Sequence, residues 1–215
     1  MIKIEETEVY GWKAAIRGAR NPFESWDKSD SVFHEKYGPV LGNNDIDLLK
    51  RLVLTNCDAE SKWARFIIVT CDVTAPLYWW KEMDTYKVGT VCNSTSTMHS
   101  IQKHEFGVNM FSMDHLWDRS VFPVFEETVK LLNEYRALYF ETEDPAMKKE
   151  VWWQMIQLLP TSFNQKRTMQ FNYQNLRNIY FQRKGHRLDE WHEFCKWIET
   201  LPYAKEFITC KNEES

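Results

Sequence analysis

Between residues 124 and 200 the apolar side chains return every three or four positions, and this periodicity constrains the fold more than any other feature. Residues 124–139 align Phe125, Val129, Leu132, Tyr135 and Tyr139. Residues 145–159 align Met147, Val151, Met155 and Leu158. Residues 164–182 align Met169, Tyr173, Leu176 and Tyr180, and residues 187–200 align Leu188, Trp191, Cys195 and Ile198. Such spacing places one side of an α-helix against a core, so four helices are predicted. The acidic run at 141–144 between the first two reads as a solvated loop.

The first half reads differently. Short strands are expected at 2–4 and 8–12, a break at Gly18-Ala-Arg-Asn-Pro22, and more loop at Ser29-Asp-Ser31 and Tyr37-Gly-Pro39. Asn44 is placed as the cap of a helix over about 45–56, with Ile46, Leu49, Leu52 and Val53 as its stripe. Residues 65–73 are largely apolar and rich in β-branched side chains, which suits a strand inside a sheet. The expected fold is therefore α+β, a mixed sheet flanked by long helices, in a single domain over 1–215.

Composition narrows the function classes. The chain has 27 basic against 31 acidic residues, a net charge of −4, which argues against a general nucleic-acid binder. No stretch approaches the roughly 20 apolar residues of a membrane span. Glu5, Glu6 and Glu8 are foreign to a signal or transit peptide, so a cytoplasmic protein is expected. Five cysteines, an odd number without C-x-x-C, read as thiols in a reducing compartment with no zinc site. Ten Trp in a chain with seven Gly and seven Pro fit a helical protein, not an all-β carbohydrate binder.

Two polar stretches are candidates for chemistry. From Thr161 to Leu188 there is no Asp or Glu, while Lys166, Arg167, Arg177, Arg183, Lys184 and Arg187 supply six cations. Asn164, Asn172, Asn175 and Asn178 accompany them, with Gln165, Gln170, Gln174 and Gln182. Cations and amides without acids suit an anionic ligand with hydrogen-bonding ring edges. Gln174, Asn178 and Gln182 share a helix face at four-residue spacing. A solvated polar face explains the same residues, as does, against the overall charge, a nucleic-acid surface. The second stretch, residues 87–99, is rich in hydroxyls and contains Gly89; it reads as a polar loop able to cradle a phosphate. It is not a Walker loop. No H-E-x-x-H, G-x-S-x-G or G-x-G-x-x-G occurs, and Cys92 reads as a small packing residue more readily than as a nucleophile.

Val73-Thr-Ala-Pro-Leu-Tyr78 with the hydroxyl-rich stretch after it resembles the flavin-dependent thymidylate synthases (ThyX). In that family a strand ends in a V-x-A-P-like run, and the signature R-H-R-x-x-S-x-N-x-x-S comes after it. Here the R-H-R positions fall on Thr85, Tyr86 and Lys87, and only Lys87 keeps the charge. The first signature Ser falls on Thr90, and one inserted residue aligns N-x-x-S with Asn93-Ser-Thr-Ser96. Leu159-Pro160 fits the family's leucine-proline pair, and Asn172-Tyr-Gln174 fits N-x-R with Gln for Arg. Asn178, Arg183 and Trp191 fit the later positions; a rival register, Asn175-Leu-Arg177, keeps the Arg but misplaces the later Asn and Arg. Arg17-Gly-Ala-Arg20 looks like the A-A-R element, so the resemblance covers most of the chain in order.

The resemblance implies a homotetramer whose sites form where subunits meet, FAD as cofactor, and a dUMP-type pyrimidine nucleotide as substrate. It implies transfer of a one-carbon unit from methylenetetrahydrofolate with flavin hydride, and NADPH as reductant. Membranes and nucleic acids are not implied as partners. Lys87, Asn172, Gln174 and Asn178 would contact the flavin. Glu82, Thr85, Asn93, Thr95, Ser96 and Arg183 would line the nucleotide pocket, with Arg183 and Ser96 at the catalytic positions. The fixed charge of Arg183 would favour a deprotonated ring N3 and activate C5. Thr85 and Tyr86 remove two cations, and the phosphate-clamping Arg falls near Thr97 or Met98; His99, Lys103, Lys166 and Arg167 are the candidates to compensate. The alternative is a non-catalytic ThyX-derived protein that binds a nucleotide or a partner.

Overall fold

The β-branched run forms an interior strand, as its composition demands. The computed structural model describes residues 2–34, 38–55, 57 and 59–211. Its main sheet contains β1 (Lys3–Tyr10), β4 (Ile68–Pro76), β6 (Asn164–Asn172) and β5 (Val91–Ser94), in that spatial order. A two-stranded ribbon pairs β2 (Val32–His34) with β3 (Gly38–Val40), antiparallel, Phe33 opposite Pro39. The helices are α1 (Trp12–Arg20), α2 (Asn43–Leu54), α3 (Leu77–Met83), α4 (Thr97–Ser100), α5 (Phe122–Glu141), α6 (Pro145–Leu158), α7 (Tyr173–Arg183), α8 (Asp189–Glu199) and α9 (Ala204–Phe207). Short 3-10 turns cover Asn21–Phe23, Trp26–Lys28, Glu60–Phe66 and Val108–Met110. Among the described residues no helix is long and apolar enough to cross a membrane, and none of the five cysteines is in a disulfide.

Several sequence expectations are corrected. The two N-terminal strands are one, β1, and Trp12 belongs to α1. The expected break at Gly18 is helical, because Trp12, Ala15, Ile16 and Ala19 make a buried stripe. The second helix starts at Asn43, not Asp45. Its N-terminus is satisfied from a distance: Asp30 accepts from the backbone N–H of Asn44 (3.0 Å) and Asp45 (3.1 Å), so Asn44 is not the cap. Asn56 and Tyr37 lie outside the described residues. The central strand begins three residues later than expected, Arg65 and Phe66 belonging to a 3-10 turn. Residues 87–99 are not all loop, since β5 and α4 lie within them.

The largest correction concerns residues 164–182. Their first half is β6, in which Gln165, Met169 and Phe171 are buried at the two-residue period of a strand. The helix begins only at Tyr173. Asn172 accepts from the N–H of Asn175 (2.9 Å) while the Asn175 side chain accepts from the N–H of Asn172 (3.2 Å), a reciprocal cap that forces the switch.

The chain divides into two compact, interleaved units. The first holds Val73–Thr85 and Asn93–Arg167 with the start of the chain. Its core lies under α5 and α6, where Phe125, Val129, Leu132 and Met155 pack with Ile101, Phe106 and Phe111. Phe111 meets Phe125 edge-on at 5.2 Å. In α3, Trp80 donates its indole N–H to the carbonyl of Gln165 (3.0 Å).

The second unit holds Ile4–Asp72, Tyr86–Cys92 and the chain from Thr168 onward. Trp12 meets Tyr173 at 5.3 Å and Tyr203 at 5.4 Å, both edge-on, and Trp191 meets Phe194 at 5.8 Å. Tyr173 donates its buried hydroxyl to the carbonyl of Pro202 (2.7 Å). Arg20 and Asp45 form a buried ion pair of 2.5 Å, their side chains 4% and 0% exposed. Burial opposes the Asp45 charge, but hydrogen bonds from Ser31, Ser29 and Arg20 outweigh it and hold the carboxyl below its usual range. Burial pushes the Cys71 thiol up to about 12, so it is an inert packing group.

Candidate functional site

In the second unit, α7 and the segment Tyr86–Cys92 carry the expected cofactor residues together. Asn172 is buried at the start of α7, its carboxamide committed to the cap. Asn175 extends its Nδ2 to the carbonyl of Val88 (2.8 Å). Beside it Gly89 has φ +75, and a Cβ there would lie 3.0 Å from the Asn172 amide nitrogen and 3.1 Å from Asn175 Oδ1. Both the backbone angle and the close approach require glycine. At the other end of α7, Tyr86 donates to Gln182 Oε1 (2.9 Å) and accepts from Arg183 Nε (2.8 Å). The Arg183 guanidinium lies 4.7 Å from the Trp191 ring centre and 5.4 Å from that of Tyr86. The segment from Tyr86 to Gly89 thus clasps α7 at both ends, with exposed Lys87 between the anchors. The helical rise puts Asn172 and Arg183 about 16 Å apart along the axis, the span of an extended ligand rather than of one ring.

Gln174 and Asn178 lie one turn apart and line a recess of about 180 Å³ with Val53, Cys57, Ser61, Ala64 and Arg177. Gln174 accepts a hydrogen bond from Arg65 Nε, which fixes its carboxamide. The helix-face expectation for Gln174, Asn178 and Gln182 survives the loss of the helix's first half, because all three lie within α7. In the rival register, Asn175 is a capping residue and Arg177 is held by the carbonyls of Ile208 (2.9 Å) and Cys210 (2.8 Å).

The first unit holds the expected nucleotide residues other than Arg183, which belongs to the second. Glu82 lies in the last turn of α3, its carbonyl accepting from the hydroxyl of Thr85 (2.7 Å). Asn93 lies in β5; Thr95 comes just after it, donating its N–H to the carbonyl of Lys166 (2.9 Å). Ser96 caps α4 by accepting from the N–H of His99 (3.2 Å). Asn93, Thr95 and Ser96 are all exposed. Gln165 donates to the carbonyl of Thr95 (2.7 Å) and accepts from Arg167 Nε (3.0 Å). Arg167, one of the candidate compensating cations, pairs with Asp84 at 2.7 Å and lies 4.2 Å from the centre of a Trp80 ring. Asp84 therefore offsets part of its charge.

Sequence reasoning missed Trp80, Asp84 and the clasping role of Tyr86. The partners of Tyr86 lie 96 and 97 residues away, so no local pattern announces them. Arg65 and Cys57, beside α7, come from another part of the chain and carry no signal of their own.

The fold has known counterparts. A crystal structure of thymidylate synthase X (ThyX) from Helicobacter pylori with FAD and dUMP matches with a TM-score of 0.67 and 13% identity, covering 97% of both chains. A second structure, of flavin-dependent thymidylate synthase ThyX from Helicobacter pylori complexed with FAD and dUMP, matches with a TM-score of 0.67 and 14% identity. It covers 98% of this chain and 100% of the other. No protein family and no curated protein matches the sequence. At such identity the likeness establishes the fold alone, and that fold is the α+β arrangement of the ThyX enzymes.

Proposed function

We propose that this chain is a divergent flavin-dependent thymidylate synthase-like flavoprotein, one ThyX-like domain over residues 1–215. It binds FAD and a dUMP-type pyrimidine nucleotide and works in the cytoplasm as a homotetramer whose copies complete one another's sites. Methylenetetrahydrofolate is its one-carbon donor and NADPH its reductant. The observation that carries this reading is the fold match along nearly the whole of both chains, to an enzyme crystallised with FAD and dUMP. The clasp on α7 supports it independently. The recess beside Gln174 and Asn178 has the amides and guanidinium that suit a flavin ring edge, and its 180 Å³ holds an edge only.

FAD, when bound, supplies the hydride chemistry that side chains lack. The chain's own residues bind and orient. Gln174 and Asn178 present hydrogen-bonding groups from one helix face, Asn172 fixes where that helix begins, and Lys87 adds an exposed cation beside it. Arg183 brings a planar guanidinium charge, and Tyr86 and Trp191 hold its plane. At a pyrimidine edge that charge stabilises the ring's N3 anion and raises electron density at C5. Glu82, Thr85, Asn93, Thr95 and Ser96 contribute the polar lining for the nucleotide, and the Ser96 hydroxyl holds a proton at Oγ.

The purified protein is expected to take up FAD, and Arg183→Ala is expected to weaken dUMP binding about tenfold or more. A colourless protein with no FAD binding by calorimetry or fluorescence refutes the enzyme. One observation favours a second reading, a non-catalytic nucleotide- or partner-binding protein. At a position where the ThyX signature is cationic, Tyr86 instead occupies the Nε of Arg183. Rescue of a thymidine-requiring strain would eliminate that alternative.

A further inference from the structure

Three cations converge on one phenyl ring at the C-terminal end of α7. The Arg177 guanidinium carbon is 4.9 Å from the centre of the Phe181 ring, Lys184 Nζ 5.3 Å and Lys211 Nζ 5.4 Å. Residues 177, 181 and 184 stand at i, i+4 and i+7, so one helix face carries three of the four groups. The fourth is brought in by a built contact. Arg177 Nη1 donates to the carbonyls of Ile208 (2.9 Å) and Cys210 (2.8 Å), and this holds the chain so that Lys211 falls over the ring.

The cluster is electrostatically unbalanced. No two of the charges are more than about 11 Å apart, close to one Debye length at 0.1 M salt. Among the described residues no carboxylate pairs with Lys184, Lys211 or Arg177. Glu199, on the neighbouring helix, is committed to the hydroxyl of Tyr180 (2.8 Å). The charge of Lys211, together with desolvation and direct contact between the two side chains, pulls Lys184 below the usual lysine value. The helix C-terminus favours a cation at Lys184. It does not account for a second ammonium brought against the first. Cation–π attraction to Phe181 is about 1 kcal/mol for an exposed pair and is shared among three charges. A polyanion resolves the imbalance: its oxygens take charge-assisted hydrogen bonds from two ammonium groups and a guanidinium at once.

We propose that Arg177, Lys184 and Lys211, arranged around Phe181, form a binding site for a diphosphate group. The group comes from a free nucleoside diphosphate or from the bridge of a dinucleotide; the cluster reads the chemistry the two share. Phe181, Lys184 and Lys211 are not among the residues assigned to flavin or pyrimidine, and of the four only Arg177 also lines the recess beside Gln174 and Asn178.

The test is calorimetric titration of the full-length protein with inorganic pyrophosphate at low ionic strength. Saturable binding is expected, weakened about tenfold or more in Lys184→Gln/Lys211→Gln with an unchanged melting temperature. Both lysines are exposed, so the double variant keeps the fold. Displacement of pyrophosphate by FAD at equimolar concentration assigns the dinucleotide bridge; displacement by ADP alone assigns the free nucleoside diphosphate. The proposal is overturned if wild type gives no heat with millimolar pyrophosphate, or if the double variant binds as tightly as wild type. It is also overturned if chloride at matched ionic strength displaces pyrophosphate equally well.

Discussion

Replacing Arg20 by Met tests the energetics of the second unit most directly. Wild-type Asp45 is fully buried and accepts from Arg20 Nε (2.7 Å), the Ser29 hydroxyl (2.8 Å), the Ser31 hydroxyl (2.6 Å) and the N–H of Ser31 (3.1 Å). Arg20 also donates to the carbonyls of Ser25 (3.2 Å) and Lys28 (3.1 Å). The methionine keeps most of the volume but leaves a buried carboxylate without its counter-charge. Breaking such a pair costs about 3–5 kcal/mol, a large share of the roughly 5–15 kcal/mol that keeps a protein folded. At about 2–4 °C per kcal/mol for a chain of this size, the melting temperature should fall by about 6–20 °C. The sign of the pH response is set by the carboxyl. In wild type its folded value is depressed, so its contribution is present at neutral pH and is lost as pH falls through that value. In the variant, burial is no longer opposed by Arg20 and the folded value rises. Protonation then relieves the defect, and the stability gap to wild type should narrow between pH 7 and pH 4. Asp45→Asn added to Arg20→Met should recover part of the loss, because the uncompensated charge is gone. Urea unfolding followed by tryptophan fluorescence reads all three quantities. A loss below about 1 kcal/mol at pH 7, or a gap that widens in acid, refutes the reasoning.

Gly89→Ala forces a side chain into φ +75 and into contact with Asn172 and Asn175; it should cost about 1–2 kcal/mol and loosen the segment bearing Lys87, read as lower melting temperature and weaker FAD binding. Tyr86→Phe strips Arg183 and Gln182 of a shared partner; it should cost about 1 kcal/mol in urea unfolding and raise the dUMP dissociation constant several-fold, whereas unchanged affinity would show that the clasp does not position Arg183. Met155→Ala empties a fully buried site between α5 and α6; it should cost about 2–5 kcal/mol by the same unfolding assay, and a loss below about 1 kcal/mol would mean that the core collapses around it.

Legibility in the sequence tracks how each element is determined. Helices α5, α6 and α8 are readable because their burial is set mostly within the helix, one apolar stripe per element, although Met147, expected on the α6 stripe, lies in the first turn of that helix and is exposed. Strand β6 is not, because Met169 serves two periodicities. It lies two residues before Phe171 in a strand and four before Tyr173 in a helix, and both side chains are buried. The deciding signal is the reciprocal Asn172–Asn175 cap, a milder pattern than the usual Ser or Thr paired with Glu. Helix α1 escapes a local reading for a long-range reason. It begins after Gly11 at φ +93, where any Cβ would run into the carbonyl of Phe66, a residue 55 positions on. Strand β5 escapes it because all four of its residues are exposed; its strand character comes from pairing with β6, not from its own composition.

The candidate site divides along the same line. Amides repeating every four residues from Gln174 announce a polar helix face, and that face exists because the helical period alone specifies it. The clasp that gives the face a partner depends on Tyr86 reaching Arg183 and on Asn175 reaching Val88, contacts that span 97 and 87 residues. The Phe181 cluster lies between these extremes. Arg177, Phe181 and Lys184 stand at helical spacing in the sequence, but their significance arises only when Arg177 binds the carbonyls of residues 208 and 210 and so sets Lys211 against Lys184. A side chain's position is a local property where the helix repeat fixes it. Its electrostatic meaning is a property of whatever the tertiary fold brings beside it, and for this reason two isolated lysines in the sequence become a site only in the structure.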